Sequence, residues 1–213
     1  MKKNLIFIGI IVILIVAGIF IYKGLTKKEE ISMPENLVGK KIAMIIAFRD
    51  FRDAEYFVPK EVLEKAGIEV KTASNKKGIA IGADGGDVKV DLLVSEINPA
   101  EFAAVVFIGG SGCLENLDNE SSYRVAQETV SQNRVLASIC ISPVILAKAG
   151  VLEGKKATVW SSVMDRSPIK ILQNNGAIYE DKRVVVEGKI ITGNGPEAAE
   201  EFGQAIVEVL TSL

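Results

Sequence analysis

Apolar residues fall along this chain in three patterns. The first is one uninterrupted block: residues 5–22, LIFIGIIVILIVAGIFIY, are eighteen positions without a charge. The second is a series of short apolar runs. Residues 41–47 (KIAMIIA), 68–73, 104–108 (AVVFI) and 134–139 (RVLASI) have the length and composition of strands buried on both faces. Residues 157–160, 183–186 and 189–192 read as later strands, and the weak alternation at 87–93 as an extra hairpin. The third is helical spacing. Phe57, Val58, Val62, Leu63 and Ala66 share one face of a helix over 55–66, which Gly67 stops. Helices are also predicted over 121–132, over 143–149 with Pro143 in the first turn, and over 196–210. Residues 78–86 (GIAIGADGG) read as a turn-rich loop. Strand and helix alternate in an order that implies a mostly parallel sheet covered by helices on both faces.

The long block is a different object. An eighteen-residue helix rises about 27 Å, close to the hydrocarbon thickness of a bilayer. Lys2 and Lys3 precede it, and Lys23, Lys27 and Lys28 follow. It has no polar face, which disfavours a buried core helix. It exceeds the usual length of a signal-peptide core, and no small-residue cleavage site follows it. Residues 1–24 are therefore read as a retained membrane anchor with the domain on the extracytoplasmic side; secretion after cleavage is the alternative. Residues 25–39 form a polar tether, and 40–213 one α/β domain of ordinary size. Lysines flank both ends of the block, so charge bias fixes the orientation weakly.

Charge sharpens the division. Residues 31–213 hold 20 basic and 25 acidic side chains, a net charge of −5, which offers no electrostatic footprint for nucleic acid. The chain has no histidine. That excludes a His-based zinc site, a Ser-His-Asp triad and a Cys-His dyad built from this chain alone. No phosphate-binding loop or dinucleotide fingerprint occurs, so no cofactor is implied.

In open α/β sheets, sites form beyond the carboxyl ends of strands. Three such ends carry chemistry here: Arg49–Glu55 (RDFRDAE), Gly109–Cys113 (GGSGC), and Cys140-Ile141-Ser142-Pro143. Cys140 stands between a buried-type strand and a proline-started helix, where the chain turns sharply and presents a side chain above the sheet. A neighbouring helix N-terminus favours thiolate, so the thiol is expected below its ordinary pKa of about 8.5. The bland alternative is a buried structural cysteine.

The segment ASICISPVILAKAGVLEGKKAT resembles the nucleophile-elbow region of the DJ-1/PfpI family, within the class I glutamine amidotransferase-like superfamily. AEYFVPKEVLEKAGIEVKTAS is similar to that family's first helix and second strand. VKVDLLVSEINPAEFAAVVFIGGSG and VVVEGKIITGNGPEAAEEFGQAIVEVL resemble its glycine-pair region and its closing hairpin and helix. The resemblance implies a flavodoxin-like three-layer sandwich over roughly residues 40–210, often dimeric. It implies Cys140 as the reactive cysteine and Glu55 as its acidic partner. Two adjacent anions repel, so Glu55 is expected to keep its proton and donate a hydrogen bond to the sulfur, with both groups titrating as a unit. It also implies that the amides of Gly109 and Gly110, with that of Ile141, face the cysteine as an oxyanion hole.

The chain departs from the family pattern at three places. The histidine that follows the nucleophile in PfpI-type peptidases is Ile141 here. The place where deglycase- or glyoxalase-type members put a histidine falls near Trp160, a candidate pocket wall. An arginine before the closing turn is Asn194. Proteolysis is disfavoured on this ground. Proton traffic falls to Glu55, with Asp50, Asp53 and Asp165 as weaker carriers. What remains is a thiol suited to small carbonyl or acyl substrates, or to a redox-sensing or binding role without turnover. Ser142 and Cys113 are auxiliary candidates. Cys113, on the glycine loop, could resolve an oxidised Cys140 if the two Cα atoms lie within disulfide range.

Overall fold

The computed structural model describes residues 37–213; the anchor read at 1–24 and the tether up to residue 36 lie outside the described residues. Among the described residues no helix is long and apolar enough to cross a membrane.

Strand β1 (Lys41–Ile46) is buried at every position after its first. Successive side chains of a strand point to opposite faces. Ala43 and Ile45 enter one core, and Ile42, Met44 and Ile46 enter another. The elements after β1 are β2 (Arg49–Phe51), α1 (Asp53–Lys65), β3 (Glu69–Ser74), β4 (Ile79–Gly82), β5 (Asp87–Lys89), β6 (Leu92–Leu93) and β7 (Ala104–Phe107). Then come α2 (Cys113–Leu117), α3 (Glu120–Ser131), β8 (Val135–Ile139), α4 (Pro143–Lys148), β9 (Lys156–Ala157), α5 (Ser167–Asn174), β10 (Ile178–Tyr179), β11 (Val184–Glu187), β12 (Ile190–Gly193) and α6 (Ala199–Thr211).

Seven strands form the main sheet in the order β11-β12-β8-β7-β1-β3-β6. All its pairings are parallel except that of β11 with β12. Val125 and Ala126 of α3, Val144–Ala147 of α4, and Ile169 and Leu172 of α5 fill the core on one face. Tyr56 and Leu63 of α1 and Phe202, Ile206 and Leu210 of α6 fill the core on the other. The α1–α6 contact is close: a Cβ at Gly203 would lie 3.0 Å from Pro59 Cα. Pro59 sits inside α1 and supplies no N–H to the Glu55 carbonyl one turn back. The result is the flavodoxin-like α/β sandwich expected from the chain's alternation and resemblance.

Three local expectations are corrected. Residues 78–86 are not wholly loop: β4 lies within them, parallel to β2 and antiparallel to β5. Asp53 holds the turn after β4, its Oδ2 accepting from the Asp84 amide at 2.8 Å and its Oδ1 from the Gly86 amide at 2.6 Å. The strand expected at 157–160 shortens to β9. Beyond it, the Thr158 amide bonds to Thr192 Oγ1 and the Trp160 amide to the Cys140 carbonyl, so neither is free for a ladder. Residues 87–93 do not form a hairpin of their own: β5 pairs with β4, and β6 runs parallel to β3. Helix α5, not among the predicted elements, has eight residues with a proline in its first turn.

Candidate functional site

β8 delivers the chain to Cys140 with φ +67°, in the left-handed region. A side chain bearing Cβ costs about 1–2 kcal/mol there, so the surroundings must hold it. The Cys140 amide donates to the Gly193 carbonyl at 2.9 Å, and its carbonyl accepts from the Trp160 amide at 2.7 Å. Ser142 Oγ accepts from the Ile139 amide at 3.0 Å. The same hydroxyl lies 2.8 Å from both the Phe107 and Ile139 carbonyls and can donate to either. Ser142 is fully buried. It braces the elbow from behind and does not line the cavity in front of it.

Glu55, in the first turn of α1, reaches the same point from the opposite side and is completely buried. Gly109 stands between the two side chains. A Cβ on Gly109 would come 2.6 Å from Cys140 Cβ and 2.7 Å from Glu55 Oε2, so any larger residue collides with both. The Gly109 amide donates to Glu55 Oε2 at 3.2 Å. This corrects the expectation that Gly109 faces the sulfur: of the three candidate amides, those of Gly110 and Ile141 hydrogen-bond to Cys140 and that of Gly109 to the carboxyl. Gly110 adopts φ +112°, and a Cβ there would strike the Arg52 amide nitrogen at 2.4 Å. Glu55 Oε1 meets no N–H or O–H donor, which leaves the Cys140 thiol as the polar group facing the carboxyl.

Burial pushes the Glu55 carboxyl up to about 7; its contact with Cys140, the Arg52 charge and the Gly109 amide pull the other way. Burial also pushes the Cys140 thiol up, and the neighbouring Glu55 charge adds to it, against the pull of the Gly110 and Ile141 amides. The thiol is therefore not depressed as its place before a helix suggests. It is only 9% exposed, helix α4 has six residues, and no cation is among the groups that move its pKa. Both directions have one meaning. The pair sheds one proton near neutrality and holds the second far above it, because two anions cannot share this dry space.

In front of the sulfur lies a cavity of about 300 Å³ lined by Arg52, Gly110, Ser111, Leu114, Cys140, Ile141 and Trp160. Trp160 is thus a pocket wall. Arg52, Ser111 and Leu114 were not singled out from the sequence; the signal for Arg52 was a cation three residues before Glu55. A larger cavity, about 750 Å³, opens at the other end of the sheet beside Lys41, Arg134 and Lys189, where there is no thiol. Asp53 is engaged by the β4–β5 turn. Asp165, just before α5, accepts from the Ser167 amide and hydroxyl. Neither lines the cavity, nor does Asp50.

Cys113 does not reach the cavity. It is fully buried at the start of α2 and packs in the core on the opposite sheet face from Cys140. Burial raises its thiol well above the ordinary value. Both cysteines are free. Among the described residues, no cluster of three or more Cys, Asp or Glu side chains could hold a metal ion.

Residues 40–209 match the DJ-1/PfpI family. Deglycase PfpI of Pyrococcus furiosus is 35% identical over 153 residues, which span 72% of this chain and 89% of that protein. The crystal structure of a ThiJ/PfpI domain protein from Brachyspira murdochii superposes with a TM-score of 0.77 at 36% identity, covering 82% of this chain and 99% of that one. Oxidized DJ-1 of Toxoplasma gondii superposes with a TM-score of 0.70 at 28% identity, over 80% and 90% of the two chains. The chain belongs to the DJ-1/PfpI family.

Proposed function

We propose that this protein is a membrane-tethered, histidine-less DJ-1/PfpI member. Cys140 is its nucleophile, Glu55 its proton carrier, and small carbonyl or acyl compounds its substrates. One observation carries the reading: a strained cysteine lines a cavity sized for a small molecule, and a fully buried carboxyl stands against that cysteine. In the chemistry proposed, Cys140 Sγ attacks the carbonyl carbon. The proton of the pair moves through Glu55 to the new alkoxide, and the Gly110 and Ile141 amides offer hydrogen bonds to developing charge. The deglycase from Pyrococcus furiosus supports a cysteine-based activity of this kind. The absence of histidine counts against proteolysis.

The reading extends to attachment through residues 5–22 with the domain extracytoplasmic, and to homodimerisation, which a shared membrane surface would favour. The second reading is a cysteine-based redox sensor without turnover. It is favoured by the acid beside the sulfur, which can hydrogen-bond an oxidised cysteine, and by the oxidized state of the Toxoplasma gondii structure.

The test is methylglyoxal consumption by the full chain in detergent, wild type against Cys140→Ala. The expected result is turnover that Cys140→Ala abolishes. Failure of Cys140-dependent turnover with methylglyoxal and related small aldehydes would put the redox reading first.

A further inference from the structure

The cavity in front of Cys140 contains one fixed charge, and it is positive. Arg52 is a lining residue, and the others are Gly110, Ser111, Leu114, Ile141, Trp160 and the cysteine itself. The Arg52 backbone is fixed: its amide donates to the Gly109 carbonyl at 3.1 Å, and it is the residue immediately before α1. Its guanidinium is held loosely. Nη1 lies 3.3 Å from both carboxylate oxygens of Asp84, a long contact between side chains 40% and 57% exposed. Such a pair is weak in water and exchanges readily for a better-placed anion. No other residue lining the cavity carries a permanent charge. Glu197 raises the Glu55 carboxyl, whereas Arg52 is the cation whose charge reaches it. Position 194, near the closing turn, is an uncharged asparagine.

We infer that Arg52 is an anion subsite of the Cys140 cavity, selecting small reactants that carry a carboxylate next to the electrophilic carbon. Resting on the carbonyl reading proposed above, the substrate class is 2-oxo acids and aldehydo acids such as glyoxylate, in preference to neutral aldehydes. The guanidinium releases Asp84 and takes the substrate carboxylate, which sets the adjacent carbonyl carbon towards Sγ. One S–C bond forms, and the C=O π pair moves onto oxygen. The proton shared by the thiol and Glu55 ends on that oxygen, giving a hemithioacetal. No group leaves, nothing is oxidised or reduced, and no co-reactant enters.

The subsite can be read without turnover. Iodoacetate and iodoacetamide alkylate a thiol by the same displacement of iodide and differ chiefly in charge. The rates of both at Cys140 are measured on the full chain in detergent by peptide mass, and their ratio is compared among wild type, Arg52→Gln and Asp84→Asn. The iodoacetate/iodoacetamide ratio is expected to fall about fivefold in Arg52→Gln, the size of an exposed ion pair, and to rise in Asp84→Asn, where the guanidinium is freed. A charge that merely moved the thiol's proton would change both rates together. An unchanged ratio in Arg52→Gln, or parallel changes in both rates, overturns the subsite. Protection of Cys140 by glyoxylate, stronger than by methylglyoxal and lost in Arg52→Gln, is expected from the substrate class. A charge-dependent ratio with no protection by either aldehyde would uphold the subsite and overturn the carbonyl reading.

Discussion

The two cysteines occupy nearly matched positions and have opposite characters. Each lies on the loop after a central strand, Cys113 at the first residue of α2 and Cys140 three residues before α4, and each is almost removed from solvent. Cys113 follows glycines that take up the turn, and its side chain drops into the apolar core on one face of the sheet. Cys140 takes the turn itself, with φ +67° and every backbone polar group engaged, and its side chain points to a carboxyl and two amides. Burial therefore does not separate a structural thiol from a candidate nucleophile. Backbone strain, and polar partners that only a proton or a ligand can satisfy, do.

The largest way to break this contrast is at Glu55, whose carboxyl hydrogen-bonds to Cys140 and reaches Cys113 only through its charge. A glutamate carboxyl ordinarily titrates at 4.5, and here it holds its proton to about 7. Below 4.5 the folded and unfolded chains both carry the proton. As pH rises through the interval, the unfolded chain releases it first, so stability falls and then levels above 7. The shift corresponds to about 3 kcal/mol. Denaturant unfolding at pH about 4.5 and about 8 should show wild type losing roughly this much more than Glu55→Gln. Equal losses in both proteins would remove the buried acid from the description.

A smaller effect sharpens the other half. Cys113→Ala deletes one buried sulfur from a packed core and should cost about 1 kcal/mol, read as a lower denaturation midpoint with unchanged slope. The alkylation rate of Cys140 should not change. A large change in that rate would mean that the two thiols communicate across the sheet.

Much of this was legible in the sequence, for identifiable reasons. The runs at 41–47, 104–108 and 134–139 become β1, β7 and β8 because strands buried on both faces leave a continuous apolar signal. The elbow at Cys140 follows from a strand meeting Pro143. The assignment of the amides was not legible. Whether Gly109 serves the sulfur or the carboxyl depends on Glu55, 54 residues away in the chain, arriving beside it. The direction of the Cys140 shift was missed because helix position was visible in the sequence and desolvation was not. Ser142 as a brace and Cys113 as core depend on which side of a turn each side chain leaves, which a one-residue difference reverses. β4 was hidden by its flanking glycines, and its turn is secured by the distant Asp53 carboxylate.

The central claim is that Cys140 and Glu55 share a proton. The rate of Cys140 alkylation by iodoacetamide, followed from pH about 5 to about 9 in wild type and Glu55→Gln, tests it most directly. The shared proton predicts a wild-type rate that rises with a midpoint near the Glu55 value of about 7 and then levels, and a Glu55→Gln profile without that midpoint. A single midpoint near the ordinary thiol value of about 8.5 in both proteins would contradict it.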